Sequence, residues 1–115
     1  MAQITFKNKK GIFILKIEGE FTDSTSTKEF SNQVEKYVEE CKDKKITPKI
    51  IIDLEKVHFM NATGLGVLIW AFTKTKNLNG KTILVNPSEK VVSLLTITKL
   101  ITVFTVTSME GALKI

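Results

Sequence analysis

The chain has 115 residues, 43% hydrophobic and 25% charged, with two prolines and six glycines. That is the size and balance of one ordinary globular domain, and it excludes a disordered or collagen-like chain. The net charge is +5, yet all 17 positive residues are lysine, and without the arginine fork that grips phosphate and guanine the charge does not argue for nucleic acid. Ile4–Phe6 and Ile12–Ile17 are short apolar runs separated by Asn8-Lys9-Lys10-Gly11, which predicts a β-hairpin. In the second run Ile12, Ile14 and Lys16 face one way and Phe13, Leu15 and Ile17 the other, until Gly19 is expected to break the ladder. Asp23 or Ser24 caps a helix whose Phe30, Val34, Tyr37, Val38 and Cys41 recur at helical spacing. The lysines Lys42, Lys44 and Lys45 beside Glu39, Glu40 and Asp43 read as its solvated end.

After Pro48, Lys49–Leu54 holds the β-branched run Ile50-Ile51-Ile52, typical of a strand buried on both faces. A second helix starts near Gly64 and ends around Asn79-Gly80. Its stripe of Leu65, Leu68, Ile69 and Phe72 is expected in the core, together with Ile51 and Leu54. Lys81–Asn86 is a further strand, stopped by Pro87, and Ser88 caps a third helix with Val91, Val92, Leu94 and Leu95 as its apolar residues. Ile101–Val106 is strand-like, and Ser108–Leu113 forms a terminal helix with Met109 and Leu113 inward. The order predicts an α/β sandwich: a mixed sheet of about five strands with four helices mainly on one face.

The most informative segment runs from His58 to Leu68, leaving a strand and entering a helix that carries Gly64 and Gly66. Thr63 is placed to cap that helix, and Asn61 could do so one register earlier. The segment is not a phosphate loop, because Gly-x-Gly lacks the following Lys-Ser/Thr. Trp70, the only tryptophan, lies off the apolar stripe with Gly66 and Val67, where it either anchors an interface or packs under the third helix. His58 has no partner at metal-ligand spacing.

The run Ile50-Ile51-Ile52-Asp53-Leu54, Val57, then Phe59-Met60-Asn61-Ala62-Thr63-Gly64-Leu65-Gly66-Val67-Leu68 resembles the signature of STAS domains, specifically bacterial anti-sigma factor antagonists. Gly19-Glu20-Phe21-Thr22 is similar to the family's turn after the opening hairpin. Gly80-Lys81, Leu84-Val85-Asn86-Pro87, and Leu94-Leu95, Leu100 and Phe104 extend the likeness over nearly the whole chain as a single domain. The resemblance implies binding to an anti-sigma factor with a histidine-kinase-type ATPase fold, which phosphorylates the first Ser of an Asp-Ser-Ser/Thr/Ala-Gly-Leu motif. The unphosphorylated form binds that partner, and the phosphorylated form does not.

Here Asn61 replaces the Asp and Ala62 stands in place of the Ser. Either Thr63 has become the phosphoacceptor or the switch is absent. The implied partner surface is Asn61, Ala62, Thr63, Gly64, Gly66, Val67 and Trp70, bordered by Glu20 and Thr22. Small STAS proteins also serve as accessory subunits of lipid-transport ABC ATPases, which is the alternative. An enzyme is not expected, since Asp23, Asp53, Glu55 and His58 assemble no catalytic set. No apolar run approaches the roughly 20 residues of a membrane span, Met1–Lys10 is too polar for a signal peptide, and Cys41 is a lone thiol. The expectation is a cytoplasmic binding module with no cofactor, metal, nucleic acid or membrane insertion.

Overall fold

The computed structural model describes residues 1–115. Lys10 (φ 54°) and Gly11 (φ 86°) form a two-residue turn with both φ positive, the geometry whose twist matches a hairpin. The Asn8 Oδ1 accepts from the Gly11 amide at 3.0 Å. This joins β1 (Ala2–Lys9) antiparallel to β2 (Ile12–Phe21) along the whole of β1. The remaining strands are β3 (Lys49–Asp53), β4 (Val57–Met60), β5 (Lys81–Val85) and β6 (Thr105–Thr107). The sheet is five strands wide in the order β1-β2-β3-β5-β6, mixed as expected, with the short β4 paired to β2 alone.

The helices are α1 (Ser24–Lys44), α2 (Ala62–Lys76), α3 (Glu89–Ile97) and α4 (Met109–Lys114). On one face of the sheet Leu15, Ile17, Ile50, Ile52 and Leu84 pack against Phe30, Val34 and Val38 of α1, Leu68 of α2, and Val91 and Leu95 of α3. On the other, Ile14, Ile51, Ile83 and Val85 lie under Ala112 of α4. Both clusters need the unbroken run Ile50-Ile51-Ile52, whose three side chains are fully buried. Each contributes about 1.5–3 kcal/mol by leaving water.

Gly19 does not end β2. With φ 99° it sits in a bulge where the strand changes partner, from β3 for Ile12–Lys16 to β4 for Gly19–Phe21. Glu20 and Phe21 therefore lie on a strand rather than in a turn. The register jumps from Gly19↔Val57 to Glu20↔Phe59, so His58 is the extra residue of the bulge. The last strand is shorter than the expected Ile101–Val106, because Ile101–Val103 turn back toward Leu95 and Leu100. On α4 Ala112 is fully buried and Met109 packs half-buried against the same cluster, as expected, whereas Leu113 is exposed rather than inward.

On α2 the inward positions are Gly64, Leu65, Leu68, Ala71 and Thr75. Ile69 is 39% exposed rather than in the core, and Phe72 is half-buried. Ala71 and Thr75 fill the inward places because Thr75 Oγ1 meets Thr82 Oγ1 of β5 at 2.7 Å and bonds the Ala71 carbonyl at 3.2 Å. That polar pair turns the helix so that Ile69 faces out.

Candidate functional site

The end of the molecule where β2 meets α1 and β4 meets α2 carries the segment singled out in the sequence. Asn61, not Thr63, is the N-cap of α2: its Oδ1 accepts from the Gly64 amide at 3.2 Å. Its Nδ2 donates to the Thr22 carbonyl at 3.3 Å, so one side chain closes the helix and ties it to the turn after β2. A carboxylate accepts but cannot donate, so an Asp here would keep the cap and lose the tie.

Ala62 and Thr63 follow as the first two helical residues, both exposed, and the Thr63 hydroxyl is left outside the cap. Gly64 is buried and serves packing rather than contact. A Cβ there would fall 2.2 Å from the Phe21 carbonyl oxygen and 2.9 Å from Met60 Cγ. This close approach seats the start of α2 directly on the end of β2. Glu20, exposed on β2 beside Phe59, and half-buried Thr22 lie next to the start of α2. Gly66 is exposed and Val67 half-buried.

Trp70 is half-buried against the core, with Lys74 Nζ 5.8 Å from its ring centroid. Lys74 in turn pairs with Glu35 of α1 at 3.3 Å, so this side of α2 adjoins α1 rather than α3. Trp70 therefore lies on the α1 side of α2. Two exposed apolar residues take the more prominent places, and neither was singled out as a contact. Phe59 on β4 is 50% exposed, and Ile69 continues an outward row of Ala62, Gly66, Ile69 and Thr73 along α2.

No sequence signal located Phe59: strict alternation from buried Val57 would have turned it inward, and the bulge at His58 reverses it. For Ile69, helical spacing alone fits two adjacent stripes and does not separate the inward from the outward one. His58 is exposed at the edge of the sheet. No three His, Cys, Asp or Glu side chains stand close enough to share a metal ion. The arrangement offers small side chains, a capped helix start and exposed apolar groups, which suits contact with a complementary protein surface.

Residues 3–112 match the family model described as STAS domain. No curated protein matches the chain. Among solved structures it is similar to TM1081, a candidate anti-sigma factor antagonist from Thermotoga maritima, with 21% identity over 96% of this chain and 92% of that one, and a TM-score of 0.83. An anti-sigma factor antagonist from Mycobacterium paratuberculosis gives 19% identity over 99% and 92%, with a TM-score of 0.80. The unphosphorylated anti-sigma factor antagonist SpoIIAA gives 20% identity over 98% and 93%, with a TM-score of 0.78. These likenesses establish a shared fold, and with the family match over nearly its whole length the chain belongs to the STAS domain family.

Proposed function

We propose that the chain is a cytoplasmic, non-enzymatic binding module of the anti-sigma factor antagonist type, and that it holds its partner without the usual phosphoswitch. The partner is an anti-sigma factor with a histidine-kinase-type ATPase fold. The contact surface runs from Glu20 and Phe59 over Asn61, Ala62 and Thr63 to Gly66, Val67, Ile69 and the flank of Trp70. The observation that carries this reading is Ala62, exposed at the first position of α2 where relatives of this type are expected to carry the phosphoacceptor. SpoIIAA, similar in fold, has been solved in both unphosphorylated and phosphorylated forms, which supports a phosphoswitch in that protein.

A phosphate adds about 1.5–2 negative charges at such a surface. Alanine cannot take one, so binding here is constitutive. The test is capture of partners from the native host, followed by phosphorylation of the native chain and Ala62→Ser by the captured kinase with ATP. Phosphate uptake by Ala62→Ser and none by the native chain is the expected result. Phosphate mapped to Thr63 in the native chain would show that the switch has moved by one residue. Capture of a transport ATPase instead would favour an accessory-subunit role and sink the proposal.

A further inference from the structure

The lysines that look scattered in sequence are gathered by the topology. Strands β2, β3 and β5 are parallel, and the helices between them return in the opposite sense, so strand starts and helix ends meet at the end away from Asn61. Lys9, Ile12, Lys49 and Lys81 occupy one row across four neighbouring strands. The Tyr37 hydroxyl ties the end of α1 to this row, 2.6 Å from the Gly11 carbonyl and 3.1 Å from that of Lys49. Lys44 and Ile46 line a shallow groove with Asn8 and Gly11, and Lys76 and Val103 line another beside Lys81. Lys10 at the hairpin tip and Lys45 after α1 add to the same end. The side-chain carboxylates here are Glu39, paired with Lys42 at 3.3 Å, Glu40 and Asp43, whereas Glu20, Asp23, Glu55 and Glu89 lie at the opposite end. Lys28, Lys56 and Lys90 offset those carboxylates, so the domain is polarised by the excess of lysine at the end away from Asn61.

We infer that the basic end docks on the surface of a bilayer containing anionic lipid. Charge complementarity supplies the attraction, and two further observations select a bilayer over other polyanions. Ile46 and Val103 stand 46% and 51% exposed among the lysines. A headgroup layer accepts such aliphatic side chains while the ammonium groups stay at phosphate level, but a nucleic-acid backbone leaves them idle. The cations are all lysine, flexible point charges suited to a fluid array of headgroups rather than to the fixed geometry of a base edge. Lysine is also depleted from protein–protein interfaces. No helix is long and apolar enough to cross a membrane, so the contact is adsorption at headgroup level. In that orientation the Asn61–Thr63 end points away from the lipid and stays free, so docking does not depend on what binds there.

The experiment is cosedimentation of the full chain with unilamellar vesicles, either phosphatidylcholine alone or phosphatidylcholine mixed with phosphatidylserine. Binding is expected to the mixed vesicles only, with release in high salt. The combined change Lys44→Gln, Lys76→Gln and Lys81→Gln is expected to weaken partitioning roughly a hundredfold. Lys28→Gln, Lys56→Gln and Lys90→Gln, which remove the same charge from elsewhere, should leave it near the native level. Ile46→Ser with Val103→Ser should weaken vesicle binding without changing its salt dependence. Melting curves of each variant show whether it is folded, and the native chain's lipid and salt response needs no variant. Failure to bind mixed vesicles, equal binding to neutral ones, or equal loss in the two lysine triples overturns the inference. So does a DNA duplex that displaces the vesicles.

Discussion

At the scale of single residues, the start of α2 turns on an amide. Asn61 uses both ends of its side chain, one on Gly64 and one on Thr22, while Thr63 faces solvent. Asn61→Ala is therefore expected to cost about 1 kcal/mol of stability. Thr63→Ala should stay within about 0.5 kcal/mol of the native chain, as exposed substitutions do. Urea unfolding of both variants checks the pair, and a reversed order would restore Thr63 as the cap. Gly64 is the stricter position. Alanine there would place Cβ against the rigid Phe21 carbonyl, so Gly64→Ala should destabilise by about 2 kcal/mol or more, visible as a clear drop in Tm. A Tm within a degree or two of native would mean that α2 can shift off β2.

Among the elements, α1 carries the pH dependence. The Asp23 carboxylate, hydrogen-bonded by the Ser26 hydroxyl and then by its amide, is held below the usual range. Its contribution is present above the unfolded carboxylate pKa and is lost as pH falls through the lowered folded value. Tyr37 works in the opposite sense. Burial pushes its phenol up from 10.0 to about 12, although the bond to Lys49 opposes the shift. A raised folded pKa means that stability is intact below about pH 10 and declines as pH rises through about 12. Denaturant midpoints measured across that window should fall for the native chain and change much less for Tyr37→Phe. The same variant leaves the Lys49 amide and the Gly11 carbonyl without their partner, which costs about 1–3 kcal/mol at neutral pH. A midpoint that does not move between pH 10 and 12 would contradict the burial of the phenol.

For the whole molecule, stability is concentrated at the centre of the sheet. β3 lies between β2 and β5, with one hydrophobic cluster on each face, whereas β6 has three residues and α4 buries only Ala112. Hydrogen exchange should accordingly be slowest at Ile50–Ile52 and Leu84, opening only with global unfolding. The amides of β6 and α4 should exchange earlier, as a local unit. Exchange of α4 at the global rate would show that the rear cluster is cooperative with the front one.

What the sequence determined by itself is local. The unbroken Ile50-Ile51-Ile52 run requires burial on both faces, the Lys10-Gly11 turn requires a hairpin, Ser88 marks the start of α3, and Asp23 or Ser24 marks that of α1, where the structure selects Asp23. The motif around Asn61 also marked the family and the end of the molecule that carries the candidate site. Tertiary structure decided the rest, because it depends on partners distant in the chain. The choice between Asn61 and Thr63 as cap rests on the Thr22 carbonyl, 39 residues away. The outward turn of Phe59 follows from a register jump against Gly19 and Glu20, and that of Ile69 from the Thr75–Thr82 pair, neither of which periodicity records. The lysines follow the same logic: spacing along the chain separates their charges, and only the parallel sheet, with its strand starts and helix ends at one pole, brings Lys9, Lys44, Lys49, Lys76 and Lys81 to one end.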